Sequence, residues 1–360
     1  MDSKDNRVLI TGNEAIGYGA IYADCMFYVG YPITPQNEVI EFFAREFPER
    51  GRVFVQADSE ITSINVLCGA AAYGARAMTS TSSTAFSLMQ EGISAIAAAD
   101  IPCVIVDVQR GGPGAGTTQT AQMDYNVATR GGHGDYHTIV LAPSSVAENF
   151  EMVQLAFHLA DKYRHPVIML SDGITGQMKE TVELQTIAYD YPPLERDWAV
   201  RGSAMDGLKR KLLFNTTALV SYYDYLFKAD KKYREIMASE VRYEADGVED
   251  ADLILVAYGS SARIAMGAMK MAQKQGYKVG IIRPITLWPF PSQVISETAS
   301  RAGKFLVVED SLGQMVDDVK ASVEGKADVH LVGVLDRHLP GPSGIILPIT
   351  VLKKIKEIMK

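Results

Sequence analysis

The chain has 360 residues, enough for two domains with cores of their own. With 47% apolar and 22% charged residues it has the composition of a soluble globular protein. Its net charge of −8, without a basic cluster of more than a few residues, excludes nucleic acid and anionic membranes as expected partners. The opening MDSKDNRVLITGNEA has no apolar signal region, and no uninterrupted apolar stretch is long enough to span a bilayer. A cytoplasmic location is expected. Cys25, Cys68 and Cys103 are widely spaced in apolar surroundings, with no CxxC pair. They read as small buried hydrophobes, so any four-thiolate iron–sulfur or zinc group belongs on another chain.

In chain order, RVLIT (7–11) predicts a short strand closed by Gly12, and the small-residue run 14–24 a helix that packs closely on a sheet. Residues 25–31 predict a second strand, with YPITP (31–35) as the turn at its carboxyl end. Pro32 and Pro35 fix φ on either side of Thr34 and hold its hydroxyl in a loop, where open α/β sheets bind ligands. An amphipathic helix is expected over 38–47 and the end of a buried strand at 53–55. Glu60 follows at a strand-to-helix junction, ahead of a nearly uncharged helical run containing Ile64, Leu67, Ala70, Ala71 and Gly74. It has two readings. One is a carboxylate favoured by the helix dipole; the other is an acid near the core, whose burial disfavours the charged form and lets it share a proton near neutrality.

A short strand at 76–80 leads into the hydroxyl run 79–84. That run lacks the Gly-x4-Gly-Lys-Ser/Thr pattern of a phosphate loop and reads as a tight connection with hydroxyl caps. A helix over 86–99 and a central strand over 101–108 complete the unit. Strands and helices alternating at this spacing predict a parallel sheet covered on both faces. Arg110 stands directly after the central strand in RGGPGAG, where glycines at 111, 112, 114 and 116 permit close backbone approach. An arginine there suits bidentate binding of a carboxylate, or is a surface arginine in a mobile loop. The polar stretch 117–138 reads as a loop at the lip of the site, with His133 contacting substrate or a partner chain. His133 and His137 lack a third ligand, so no metal is expected on this chain.

Residues 139–145 predict strand and turn, 146–163 a helix, and 166–173 the last strand of a first domain spanning 1–185. A connector follows over 186–250, with a charged helix at about 218–241 and then acidic EADGVEDAD. A second α/β unit occupies 251–360, with strands beginning near 253, 278, 304 and 329 and a helix at 262–275. Its Gly259–Ser261 turn either caps that helix or binds an anion.

YPITP, the pattern of SE at 59–60 with AA and GA downstream, the hydroxyl run 79–84 and VQRGGPGAG (108–116), in this order, resemble the α-subunit of 2-oxoacid:ferredoxin oxidoreductases. LMQEGISAIAAADIPCVIVDVQRGGPG and GGHGDYHTIVLAPSS resemble its branched-chain, 2-oxoisovalerate version. The resemblance runs from about 12 to 176 and resumes more weakly over 250–350. It implies an α/β fold: a pyrimidine-type thiamine-diphosphate-binding parallel-sheet domain, followed by a transketolase C-terminal-like domain. It implies that Glu60 bonds the aminopyrimidine of thiamine diphosphate and promotes its activation, that Tyr31, Pro32 and Ile33 line the cofactor, and that Thr34 and Arg110 hold the 2-oxoacid carboxylate.

Thiamine enzymes carry GDG and a downstream asparagine in the half that holds magnesium and diphosphate. Here Ser171 replaces the first glycine, and no asparagine occurs between 173 and 214. Mg2+ and the [4Fe-4S] clusters are therefore expected on a β-subunit, beside γ and ferredoxin-like δ subunits. The implied reaction is coenzyme A-dependent oxidative decarboxylation of a branched-chain 2-oxoacid to acyl-CoA and CO2, with electrons passed to ferredoxin. Two alternatives stay open. One is the same chemistry on 2-oxoglutarate, whose second carboxylate requires a cation such as Arg130, His133 or His137. The other is a non-catalytic assembly or regulatory subunit.

Overall fold

Short apolar strands alternating with small-residue helices build two mostly parallel sheets in the computed structural model, which describes residues 6–189, 195–202, 222–337 and 344–360. The strands in chain order are β1 (Arg7–Thr11), β2 (Phe27–Gly30), β3 (Val53–Gln56), β4 (Ala77–Thr81), β5 (Cys103–Gln109), β6 (Ile139–Leu141) and β7 (Pro166–Asp172). They continue with β8 (Lys179–Glu183), β9 (Tyr243–Asp246), β10 (Leu253–Ala257), β11 (Val279–Pro284), β12 (Thr286–Trp288), β13 (Lys304–Val308) and β14 (Asp328–Val332). The first sheet has the order β12-β6-β7-β5-β4-β2-β3 and is parallel except for β12. The second has the order β14-β13-β10-β11-β9, with β9 antiparallel at its edge. β1 and β8 pair as a separate antiparallel ribbon. The expected α/β class is observed.

All residues of β5 and β7 are buried, as central strands covered on both faces require. On β5, Val104, Val106 and Val108 pack with the helices Gly12–Tyr22, Asn37–Glu49 and Val146–Tyr163, while Cys103 and Ile105 pack with Glu60–Ala72 and Gln90–Ala98. The small residues of the first helix have a packing reason. A Cβ on Gly17 would collide with the Phe42 ring and one on Gly19 with the Phe150 carbonyl. Phe42, Phe43 and Phe47 fill the layer behind it, each burial contributing about 1.5–3 kcal/mol. Phe43 stacks on Tyr28 with ring centroids 4.0 Å apart.

The chain leaves β2 toward β3 on one side and β4 toward β5 on the other, so the strand order reverses between β2 and β4. The crevice outside the carboxyl ends at such a reversal is where open α/β sheets bind ligands. The loop 31–36, the turn 82–83 and the loop 110–120 emerge there.

Several elements depart from the sequence reading. The helix expected over 86–99 is two, Thr84–Leu88 and Gln90–Ala98. The stretch 117–138 is not all loop, since Tyr125–Arg130 forms a helix whose Tyr125, Ala128 and Thr129 are buried; tertiary contacts decide such short helices. β8 and β9 have no counterpart in the sequence reading, because these edge strands are largely exposed and carry little apolar alternation. The residues 278–291, expected as one strand, divide into β11 and β12, and β12 crosses to pair with β6 at the edge of the first sheet. The long helix is observed as Tyr222–Ser239; part of its expected span lies outside the described residues.

Candidate active site

The YPITP loop is fixed from beneath by the residue after it. Gln36, fully buried, donates to the Tyr31 carbonyl at 3.2 Å and accepts from Ser80 Oγ at 2.6 Å, and Ser80 in turn contacts Tyr28 Oη at 2.6 Å. Asn13 Nδ2 donates to the Pro35 carbonyl and to Glu38 Oε2, both at 2.8 Å. The loop is thereby tied to the sheet and to two helices, while Tyr31 and Pro32 face outward and Ile33 and Thr34 are half-buried. Arg110 reaches into it. Its Nη1 donates to the Thr34 carbonyl at 2.8 Å and its Nη2 to the Ala115 carbonyl at 3.0 Å, so one guanidinium joins the YPITP and glycine loops. The fork is suited to this double duty.

Glu60 occupies the first turn of the helix Glu60–Ala72 at the same end of the sheet. Ser59 caps that helix, accepting from Thr62 N at 3.2 Å, which leaves the Glu60 side chain free of the capping task. It is 7% exposed, and no side-chain hydrogen bond holds its carboxylate among the described residues. A nearly buried carboxylate of this kind can take a hydrogen bond from, or share a proton with, a ring nitrogen. That chemistry fits the aminopyrimidine end of thiamine diphosphate.

Beneath Arg110 lies a cluster that sequence reading missed. Ser83 sits at φ 41°, ψ −96°, a conformation costing a non-glycine residue about 1–3 kcal/mol, and its hydroxyl makes no helix-cap bond. The expected capping role is thus replaced. Arg110 N donates to Ser83 Oγ at 2.9 Å, Ser83 Oγ donates to Asp124 Oδ2, and Ser83 N donates to Asp107 Oδ1 at 2.9 Å. Burial pushes Asp107 well above the usual carboxylate range, and Asp124, also by burial, up to about 6. A signal existed in the sequence. Asp107 continues the stripe of Cys103 and Ile105 on a strand otherwise apolar up to that point, where period-two patterning calls for a hydrophobe.

The second lobe holds the far side of the loop. Buried Gln122 donates to the Tyr258 carbonyl at 3.0 Å and accepts from Asp310 N at 3.1 Å and Ser261 Oγ at 2.7 Å. Tyr125 Oη donates to Asp318 Oδ2 at 2.5 Å, and Arg337 Nη2 to the Thr120 carbonyl at 2.6 Å. The helix start at Gly259–Ser261 is served by a protein carboxylate, with Ser260 N donating to Asp172 Oδ2 at 2.9 Å. The other Asp172 oxygen accepts from Thr175 N at 3.0 Å, so the aspartate of SDG joins the lobes.

His133 is not brought to Thr34 and Arg110. It is exposed, in a groove shared with Arg130, His137 and Tyr233. The His137 carbonyl accepts from the His165 ring, and both residues adjoin the amino ends of β6 and β7, opposite the strand ends that carry Arg110. His137 stacks on Trp288 with centroids 4.6 Å apart. Arg130 is bonded to Asp318 and Asn126. Among the described residues no helix is long and apolar enough to cross a membrane.

Residues 18–244 match the family model for the thiamine-diphosphate-binding part of pyruvate flavodoxin/ferredoxin oxidoreductase, and residues 251–343 match core domain II of pyruvate:ferredoxin oxidoreductase. The chain is 46% identical over 353 residues to the ketoisovalerate oxidoreductase subunit VorB of Methanothermobacter marburgensis, covering 97% of each chain. To the 2-oxoglutarate synthase subunit KorA of the same organism it is 37% identical, covering 96% of this chain and 98% of that one. Among solved structures, 2-oxoglutarate:ferredoxin oxidoreductase from Magnetococcus marinus, with 2-oxoglutarate, coenzyme A and succinyl-CoA bound, superposes with a TM-score of 0.85 at 27% identity. That match covers all of the present chain, which spans 66% of the length of the other. A split-gene transketolase, an inactive β4 tetramer, gives a TM-score of 0.59 at 16% identity over 97% of both chains, a likeness of fold.

Proposed function

The chain belongs to the 2-oxoacid:ferredoxin oxidoreductase family, and from that premise we propose that it is the α-type subunit of an enzyme oxidatively decarboxylating a branched-chain 2-oxoacid. The product is the acyl-coenzyme A, and the electrons pass to ferredoxin through iron–sulfur clusters on partner subunits. What most supports the site assignment is the 2.8 Å bond from Arg110 to the Thr34 carbonyl, which gathers two of the motif loops at the strand-order reversal. It also counts against a decayed, non-catalytic site.

Thiamine diphosphate, when bound, supplies the carbon nucleophile for the oxo group and accepts the electron pair left by carbon dioxide. This chain's share is binding and proton control. Glu60 would hold the pyrimidine ring nitrogen and exchange a proton there, with Tyr31, Pro32 and Ile33 beside it. Arg110 and the Thr34 hydroxyl would fix the substrate carboxylate, which converts binding into orientation. Magnesium and the diphosphate are assigned to a β-subunit, since Asp172 is committed to Thr175 and Ser260.

The substrate's side chain is read from cations placed elsewhere. Arg130 is engaged by Asp318, His137 stacks on Trp288, and His133 lies in the groove by the helix Tyr222–Ser239. None of these three faces Arg110 as a partner for a second carboxylate, which favours an apolar side chain over 2-oxoglutarate. The higher identity to the ketoisovalerate subunit supports the same choice. The test is dye reduction by the assembled complex with 2-oxoisovalerate, 2-oxoglutarate or pyruvate, each with and without coenzyme A. Coenzyme A-dependent reduction with 2-oxoisovalerate preferred is expected. A clear preference for 2-oxoglutarate would overturn the substrate assignment, and no reduction with any acid would overturn the activity.

A further inference from the structure

We propose that Asp107 and Asp124 form a carboxyl pair that shares one proton and, through Ser83, positions Arg110, a role that rests on reading Arg110 as the carboxylate-binding residue. Three elements converge on Ser83. Asp107 comes from the end of β5, Asp124 from the cap of the helix Tyr125–Arg130, and Ser83 from the turn after β4. Asp107 Oδ1 takes the Ser83 amide at 2.9 Å, Asp124 Oδ2 takes its hydroxyl, and the hydroxyl oxygen takes the Arg110 amide at 2.9 Å. The rare backbone conformation of Ser83, φ 41°, is what aims its amide and its hydroxyl at different acids. A strained residue held from two sides in this way signals a position that the site requires.

The second Asp107 oxygen explains why a proton belongs there. Oδ2 is buried and receives no hydrogen bond among the described residues, while the Asp124 carboxyl is held on the same serine as Asp107. Two ionised carboxylates gathered on one serine in a dry site repel strongly, and one proton shared by the pair relieves that repulsion. The groups facing the pair are consistent with this. Arg110 is the cation felt by both acids, and from the second lobe the buried Tyr258 phenol, held neutral by burial, contacts Gln109 Oε1 and the Gln122 carbonyl at 3.5 and 3.4 Å. The singly protonated pair carries one negative charge behind Arg110, enough to orient its guanidinium yet leave it attractive to an incoming carboxylate. Losing the second proton at alkaline pH would place two negative charges there, weaken substrate binding and disturb Ser83.

An Asp–Asn pair mimics the singly protonated state, because the amide donates where the proton did. In the assembled holoenzyme, Asp107→Asn is therefore expected to keep the KM for the 2-oxoacid within about threefold at neutral pH and to abolish the alkaline rise in KM. Asp107→Ala, which cannot brace Ser83, is expected to raise KM about tenfold or more with a smaller change in kcat. Infrared spectra supply a readout independent of activity. A protonated-carboxyl C=O stretch should be present at neutral pH in the wild type and absent from Asp107→Asn and from Asp124→Asn. An unchanged alkaline rise in Asp107→Asn, or no protonated-carboxyl band in the wild type, would overturn the pair. A wild-type complex without 2-oxoacid activity would instead overturn the functional reading, and the infrared band would still decide whether the proton is shared.

Discussion

Arg110→Lys separates charge from geometry at the centre of the site. The arginine spans two loops at once, with Nη1 on the Thr34 carbonyl at 2.8 Å and Nη2 on the Ala115 carbonyl at 3.0 Å. Lysine keeps the charge, but its compact head can serve one carbonyl or the substrate, not the fork of positions that guanidinium fills. Loss of one hydrogen bond from a charged group costs about 1.5–3 kcal/mol. At 1.4 kcal/mol per tenfold, KM for the 2-oxoacid should rise roughly 10- to 150-fold. Arg110→Met loses both bonds and the charge, about 3–6 kcal/mol from two charge-assisted bonds, or roughly 10²- to 10⁴-fold. The carboxylate does not change during the reaction, so the loss should fall on KM more than on kcat. Initial rates of dye reduction by the assembled enzyme over a range of 2-oxoisovalerate would measure both constants. A Lys variant with KM within threefold of wild type would refute the two-loop fork, and a loss confined to kcat would move Arg110 from carboxylate binding to the chemical step.

Glu60→Gln should reduce turnover by about 10²- to 10⁴-fold, the range for removing a positioned proton donor or acceptor, without impairing subunit assembly. Near wild-type turnover in a normally assembled complex would remove Glu60 from the mechanism. Gln122→Leu leaves the Tyr258 carbonyl, the Asp310 amide and the Ser261 hydroxyl without their partner. At about 1 kcal/mol or more for each, roughly 3 kcal/mol of stability should be lost in urea unfolding; a loss below 1 kcal/mol would show the lobe contact to be replaceable. His165 is held neutral mainly by burial, its pKa lowered to about 3. The unfolded chain binds this proton below about pH 6.5 whereas the folded chain does not until about 3, so stability is complete above 6.5 and falls as pH drops through that window. The slope from this one group is at most about 1.4 kcal/mol per pH unit, and His165→Gln should flatten it in urea titrations between those limits; an unchanged slope would exclude His165 as its source.

Three strand ends of the first sheet were legible in the sequence from the residues that follow them. Tyr31–Pro32, Ser59–Glu60 and Arg110–Gly111 mark carboxyl ends, and the structure brings the first and third together through Arg110 and Thr34. The helix Val146–Tyr163 was readable to the residue from its apolar spacing and the Ser145 cap. What stayed hidden depends on distance in sequence. Asp107, Ser83 and Asp124 are separated by 24 and 41 positions in their two contacts, so nothing local links them. His133 is the opposite case. A glycine-flanked polar loop near the motif looks like a site lip, yet its chain runs along the sheet to the other strand ends before entering β6.

The same distance argument bears on why the second lobe follows the first in one chain. The loop after Arg110 has four glycines and few apolar residues, too little to fold onto the first sheet unaided. Beyond its bonds to Arg110, its fixed points come from the second lobe: Asp310 and Ser261 on Gln122, Gln314 on the Met123 carbonyl at 2.7 Å, Arg337 on the Thr120 carbonyl at 2.6 Å. Thr120 is also the bridge partner of Arg110, so the Arg337 bond falls next to the carboxylate-binding residue. These contacts join residues at least 139 positions apart, and three of the four use a backbone group at one end. Docking one lobe on the other therefore orders the loop at the moment the interface forms. The entropy of fixing that glycine-rich segment is offset by burial shared across the whole lobe contact, where Tyr125, Tyr258 and Met315 join one apolar cluster. A loop held in this way can remain rich in glycine, and so close to a ligand, without being loose.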